Sequence, residues 1–482
     1  MGTSFVRRFR RAAVLVPALA AMAANAGAQI QPPNNHTVRV SVNSQGGQAS
    51  GDSRDASISA DGRFVAFSSE ASDLVAGDTN FRADIFVHDR QTGRTVRVNV
   101  NDQGAQPVDG DSFEPVISAN GRFVAFTSSA SNLLGQPLAP NVPRPQVYVH
   151  DLQTGTTAMI SRGGQFEPDG PSDQPSISAD GTCTAFRSDA ENLVGDLDQN
   201  GVSDVFFHCH NGNILASVSS DGQAANGPSS QPSVMSGPFN IDGERRVLAF
   251  RSEATNLVAA DTNGVADVFV RELDPKNLDN PNDDVRRTQR VSVHFVRQCG
   301  EVLGRPFCLN IPVQVNGPSN NPDLSADGRL VAYESEATDL VTGDTNGFTD
   351  VFLTDRTAAT TVRASVAFDG TQANDESLSP ALEDGLVAFE SSATNLVPGG
   401  SNGALQLFVR SSQGPVAQVS FSDDAIEANS QNVGPDLACS NDPTSPFHLR
   451  CDIAFSSVAD NLVPGDTNAD RDIFVRTQRV VR

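Results

Sequence analysis

One aromatic-centred unit recurs seven times along this 482-residue chain, and nothing else in the sequence limits the fold as much. The anchors are Phe67, Phe126, Phe186, Phe250, Tyr333, Phe389 and Phe455. Two residues after each anchor stands a serine (Ser69, Ser128, Ser188, Ser252, Ser335, Ser391, Ser457). Four after each stands an alanine, and seven after each a leucine, from Ala71 and Leu74 to Ala459 and Leu462. Successive anchors are 59, 60, 64, 83, 56 and 66 residues apart. Self-similarity of this kind marks a repeat architecture, in which one supersecondary unit cannot bury its own apolar faces and must stack on its neighbours.

Each unit reads as four short strands. In the first, residues 56–59 lead into Ala60-Asp61-Gly62-Arg63, and Asp-Gly is the dipeptide that a two-residue hairpin turn favours, with both central residues at positive φ. Asn120-Gly121, Asp180-Gly181 and Asp327-Gly328 repeat the signal. Residues 64–68 and 85–89 form the second and third strands, and residues 95–100, TVRVNV, alternate as the fourth. No window holds the apolar period of a helix over useful length. The expected fold is all-β: a seven-bladed β-propeller of four-stranded antiparallel blades, which packs blades face to face around an axis and leaves only short edges. The blades fall near 52–100, 111–161, 172–219, 229–294, 319–367, 375–420 and 430–482. Residues 37–42, TVRVSV, match a fourth strand but have no unit before them. They are expected to complete blade seven and close the ring, with the tail 476–482 as the competing segment.

The pattern P-x-I-S-x-D-G, as in Pro175-Ser176-Ile177-Ser178-Ala179-Asp180-Gly181 and Pro322-Asp323-Leu324-Ser325-Ala326-Asp327-Gly328, is followed by D-V-F-V-x-D and T-x-R-V-S-V. It resembles the PD40 (WD40-like) repeats of TolB-like propellers, over nearly all of residues 37–482. The resemblance implies the propeller fold. It leaves function open, because such propellers serve as partner-binding modules, as domains attached to peptidases and, in a few cases, as lyases.

Arg7, Arg8, Arg10 and Arg11 precede an apolar run, residues 12–24, and then Asn25-Ala26-Gly27-Ala28. That is the layout of a secretory signal peptide over residues 1–28, cut after Ala28 or Ala26, with 29–36 as a short polar leader. The apolar run is too short to span a bilayer comfortably and contains Pro17. The expected location is the periplasm or the external medium. Lysine and arginine total 34 against 58 acids, a net charge of −24. This excludes the basic footprint that nucleic acid requires and suits divalent cations or a basic partner. It also keeps an exported monomer soluble.

An even cysteine count behind a signal peptide reads as disulfides. If Phe186 faces Phe206 across a hairpin, the same register sets Cys183 opposite Cys209, close enough to bond. Cys439 and Cys451 flank the first hairpin of blade seven. Cys299 and Cys308 share an extra loop between blades four and five. Thiol metal binding needs four convergent ligands, and these pairs lie on different blades.

The connection between the second and third strands ends in a repeated acidic turn. It reads Asp78-Thr79-Asn80…Asp84, Asp261-Thr262-Asn263…Asp267, Asp344-Thr345-Asn346…Asp350 and Asp466-Thr467-Asn468…Asp472. Blade three has the fuller Asp196-Leu197-Asp198-Gln199-Asn200-Gly201…Asp204. Alternate oxygen ligands, a glycine at the bend and a later acid match the start of an EF-hand loop, and Ca²⁺ takes six to eight such oxygens. In blade three this set favours a structural Ca²⁺. In the other four loops Ala76, Ala259, Thr342 or Pro464 replaces the first ligand, and Asp and Asn bonding their own backbone in the turn is the favoured reading. Blade six has Ser401-Asn402…Gln406 and has lost both acids.

A serine present in every blade serves the blade, by bonding loop backbone where the second strand ends. No G-x-S-x-G elbow or H-E-x-x-H helix is present. His88, His150 and His208 hold one repeated third-strand position, which Arg271, Thr354, Arg410 and Arg476 take in other blades; that exchange suggests an exposed strand face. No catalytic set is assigned. The leading expectation is a non-catalytic scaffold that binds a protein or extracellular ligand on its loop-bearing face. The alternative is a lyase or hydrolase working at the mouth of the central channel.

Overall fold

The structure, a computed structural model, describes residues 35–481 apart from 143, 165–166, 210–211, 236–245, 274–286, 303–304, 412–413 and 443–447. The expected signal peptide and residues 29–34 of the polar leader lie outside the described residues. Seven four-stranded antiparallel sheets form the blades of a β-propeller. Strands are lettered a to d within a blade, from the axis outward. Blade one comprises Ser53–Ile58, Phe64–Ser69, Asp84–Asp89 and Arg94–Arg97. Blade three comprises Ser172–Ile177, Cys183–Ser188, Asp204–Cys209 and Gly212–Leu215.

Blade seven takes strands a to c from Asn432–Asn441, His448–Ser457 and Asp472–Val481. Its strand d is the N-terminal His36–Arg39, which pairs antiparallel with Asp472–Val481. The N-terminal segment therefore closes the ring. The competing tail instead prolongs strand c and stays paired with strand b out to His448 opposite Val481.

Each anchor stacks on an aromatic residue of strand c in its own blade, from Phe67 on Phe86 to Phe455 on Phe474, with centroids 5.8–6.1 Å apart. All fourteen rings are buried. The apolar core divides into seven clusters, each shared by two adjacent blades; one joins Val40, Ala438, Ala454, Ile473 and Val475 to Phe67, Ala71 and Phe86 across the closure. Burying such side chains contributes about 1.5–3 kcal/mol each, so the blade interfaces carry most of the stability.

The innermost strands are all interrupted in the same way. A register shift in each strand a coincides with a residue at positive φ: Asp55, Glu114, Gln174, Gln231, Asn321, Ser379 and Gly434. Proline follows in six of the seven blades, as in Pro115 and Pro435. A bulge leaves one residue out of the ladder, so the missing N–H costs nothing there. The freed N–H groups bond side chains of the preceding blade: Gln174 N to Glu114 Oε2 at 2.9 Å, Gln231 N to Gln174 Oε1 at 2.8 Å and Asn321 N to Gln231 Oε1 at 3.0 Å.

The a–b turn of blade six, Asp384-Gly385, is the expected two-residue type with φ +49° and +78°, but those of blades one, two, three and five differ from it. Gly62 has φ +70°, but Asp61 stays at negative φ. The Asp61 carboxylate accepts Ser59 Oγ at 2.6 Å and the Arg63 N–H at 3.0 Å, a local turn that needs only one left-handed residue.

The three disulfides form between the expected partners, with Cα atoms 4.5, 4.0 and 4.2 Å apart. The segment carrying Cys299 and Cys308 is a two-stranded hairpin, Val293–Val302 with Arg305–Gln314, rather than a loop. No helix among the described residues is long and apolar enough to cross a membrane.

Candidate functional site

The acidic loops join strands b and c, and their chemistry is set by what strand d brings to them. In blade one, Arg97 Nη1 lies 3.1 Å from Asp78 Oδ1 and 2.9 Å from Asp84 Oδ2. Arg290 spans Asp261 and Asp267 at 3.2 and 3.3 Å. Arg363 spans Asp344 and Asp350 at 3.0 and 3.3 Å. Arg39, on the closing strand, spans Asp466 and Asp472 at 3.2 and 3.3 Å. A guanidinium, with donors fixed in a planar fork, suits two carboxylates at once.

The asparagines of these loops are committed to the turn. Asn80 Nδ2 donates to Asp84 and to the Pro107 carbonyl, while its Oδ1 accepts the N–H of Arg82. Asn263, Asn346 and Asn468 repeat the carbonyl and N–H bonds with their own neighbours. Gln48 Nε2 adds bonds to Asp466 at 2.7 Å and Asp472 at 3.0 Å, and Gln314 Nε2 one to Asp261 at 2.7 Å.

Blade three keeps the acid pair and loses the cation. Asp198 and Asp204 hold the loop positions of Asp78 and Asp84. The strand d position of Arg97 is Leu215, which pairs with Phe206 as Arg97 pairs with Phe86. The position of Gln48 is Ala224. Both replacements pack into the apolar interface with blade two. Asp204 accepts from Ser217 Oγ and from Asn200 Nδ2. Asp198 is 1% exposed, and its Oδ1 has no hydrogen-bond partner. Burial, with the Asp204 charge next, pushes Asp198 up to about 7; burial raises Asp204 as well.

Of the four oxygen ligands expected here, the fold brings together Asp198 and Asp204. Asp196 is exposed on the short 3-10 turn Gly195–Leu197. Asn200 turns its Oδ1 to the Val202 N–H at 3.0 Å and presents its amide to Asp204. Among the described residues no group of three or more His, Cys, Asp or Glu converges as a metal site. The arginines were not singled out from the sequence, although the signal is there. Arg stands at this strand d position in four of the five blades with an acid pair, and Met159 and Gln418 stand there in blades two and six, where the closing acid is replaced by Gln146 or Gln406.

A cavity of about 150 Å³ runs along the axis, lined by Ser57, Ser176, Ser233, Asp323 and Asp436 among others. These side chains accept main-chain N–H groups of the next blade: Ile117 N to Ser57, Val234 N to Ser176, Leu324 N to Ser233, Leu382 N to Asp323 and Ile58 N to Asp436.

The repeated serines cap the end of strand b in all seven blades. Ser69 Oγ accepts the Ala71 N–H at 3.1 Å, and each copy repeats the bond through to Ser457 with Ala459. The histidine position is not an exposed face. His88 and His150 are buried, 2.9 Å from Thr95 Oγ1 and Thr157 Oγ1. Those threonines in turn donate to Val42 O and Val100 O of the preceding blade's outgoing segment, so strand d is covered where it enters the blade interface.

No protein-family model matches the chain, and no curated protein does. Solved structures to which it is similar include TolB from Acinetobacter baumannii, at 14% identity and TM-score 0.36, over 77% of this chain and 63% of that one. The β-propeller domain of the Trilobed protease from Pyrococcus furiosus is similar at 9% identity and TM-score 0.44, over 90% of this chain and 96% of that one. Dipeptidyl peptidase 4 from Porphyromonas gingivalis is similar at 12% identity and TM-score 0.37, over 83% and 57%. The chain thus spans under two thirds of the length of the Acinetobacter protein. At these identities and TM-scores the likeness carries no information on activity or partners.

Proposed function

We propose that this chain is an exported, non-catalytic binding scaffold, stabilised by calcium, which presents its loop-bearing face to a protein or ligand carrying positive charge. The observation behind this reading is that the axial carboxylates, Asp323 and Asp436, are engaged in tying one blade to the next. An acid–base catalyst needs a group free to meet its substrate. The described histidines that form part of the blade sheets hold strand or interface positions. Three disulfides and the N-terminal sequence support export.

The face on which strands b end carries exposed acids around the axis, among them Glu70, Asp189, Glu253, Glu336 and Glu376. Fields of one sign around a concave mouth concentrate counter-charged partners. The test is retention of the protein on an immobilised lysine-rich peptide at low salt. Neutralising Glu70, Glu336 and Glu376 to Gln weakens retention, and Asp384→Asn on the opposite face leaves it unchanged. Equal loss from both faces, or turnover of peptide or polysaccharide probes by the purified protein, sinks the reading.

A further inference from the structure

We propose that Asp198 and Asp204 hold a divalent metal cation in the place that a guanidinium occupies in blades one, four, five and seven. The inference gives the calcium part of the preceding reading a defined site and rests on it only there.

Four sister loops show what this position requires. Each sets two nearly solvent-free carboxylates on either side of a cationic side chain; the Asp78, Asp84 and Arg97 side chains are 3%, 0% and 10% exposed. Blade three preserves both acids, the bridging asparagine and the serine just past strand d that blades four, five and seven also have. It removes the arginine and the glutamine together, replacing them with Leu215 and Ala224. Charges are rarely left buried without partners, yet a loop free to drift would have lost the acids first, as blades two and six have done with Gln146 and Gln406. The Oδ1 of Asp198, almost without solvent exposure, makes no hydrogen bond and is the atom that would meet the cation.

The chemistry selects the class of ligand. Two carboxylates carry two negative charges, and the ligand atoms they offer are oxygens, the preference of hard divalent cations such as Ca²⁺. The remaining coordination is left to carbonyl groups and water. The competing occupant is a proton shared by the two carboxyls, which the raised pKa values of the pair would permit. Titration with cation separates the two.

The experiment uses the whole mature protein, stripped with chelator, then titrated calorimetrically with CaCl₂ and with MgCl₂. Thermal midpoints are followed by circular dichroism, since the chain has no tryptophan. The expected result is one equivalent of cation per chain and a rise of roughly 3 °C at a hundredfold excess over the dissociation constant. Asp198→Asn abolishes both. Leu215→Arg also abolishes both, and in chelator it already unfolds at the midpoint of the loaded wild type. No binding by the wild type overturns the proposal in favour of the shared proton. Binding that persists in Asp198→Asn overturns it in favour of a site elsewhere, and should Leu215→Arg fail to fold, Asp198→Asn alone decides. Neither failure touches the scaffold reading, which peptide retention tests separately.

Discussion

Asp436 Oδ2 accepts the main-chain N–H of Ile58 at 2.8 Å, joining the innermost strands of the last and first blades across 378 residues. Its Oδ1 takes the N–H of Leu437 at 2.9 Å. Blades one, three and four make this tie with a serine, and blades five and seven make it with a carboxylate inside the protein. Burial, partly offset by the Ile58 bond and increased by the charge of Asp323, pushes Asp436 up to about 6.

That shift gives the closure a pH dependence. An acid whose pKa is higher in the fold than in the unfolded chain stabilises the fold below the unfolded value and loses that contribution as pH rises through the folded one. For Asp436 the window runs from the ordinary 3.8 to about 6. Asp436→Asn keeps an oxygen for Ile58 and removes the charge. It is expected to be more stable than wild type at pH 7.5, by about 1–3 kcal/mol, with the advantage gone at pH 4. Urea unfolding at the two pH values decides it; a variant weaker at both would show that the carboxylate is needed as a charge.

His88 works in the opposite direction. Burial drives it down from 6.5 to about 4, with Asp89 and Arg90 pulling against each other. The unfolded chain therefore takes up a proton that the fold refuses. Stability falls as pH drops from about 6.5 toward 4, by roughly 3 kcal/mol at full extent. His88→Gln removes this contribution, and its unfolding free energy should change less between pH 7 and pH 4.5 than that of the wild type. An unchanged slope would place the acid sensitivity in other groups.

The turn ending at Ala425 offers a stabilising change. Gly46, Gly104, Gly222 and Gly370 hold the same place after strand d in other blades, with φ between +74° and +85°, and Ala425 sits there at +57°. A left-handed residue with a Cβ costs about 1–2 kcal/mol, partly offset by the greater entropy that glycine brings to the unfolded chain. Ala425→Gly should raise stability by about 0.5–1 kcal/mol and lift the thermal midpoint, whereas Gly370→Ala should lower it.

The architecture was legible because its signals are repeated and local. Seven anchors in one register fix the strand pairs, and TVRVSV at residues 37–42 announces a fourth strand without a blade. The Cys183–Cys209 disulfide follows from the same register, and the other two from cysteines that lie close together on either side of one connection. What stayed hidden depends on contacts between blades. The burial of His88 is set by a segment that arrives from blade seven. The arginine clamps join residues thirteen or more positions apart, as Arg97 with Asp84, or more than four hundred, as Arg39 with Asp472. The D-x-D-x-N-G spacing in blade three drew attention to Asp196 and Asn200, but backbone turns claim Asn200 and leave Asp196 in solvent. Comparing strand d between blades, rather than reading one loop at a time, separates Leu215 from Arg97.

Blade one can be turned into a copy of blade three. Arg97→Leu leaves Asp78 and Asp84 buried with no cation between them, and breaking such a pair from one side costs about 3–5 kcal/mol. The loss should be largest near neutral pH and shrink as pH falls and Asp78, which burial already raises, takes up a proton. If the carboxylates of this loop need only a positive charge at the position, CaCl₂ will restore part of the stability of Arg97→Leu and do nothing to Arg97→Leu combined with Asp78→Asn. Calcium-independent destabilisation would instead mean that the guanidinium acts through its fixed geometry, with Asn80 and Asn99 already holding Asp84 from the other side at 3.0 and 2.6 Å.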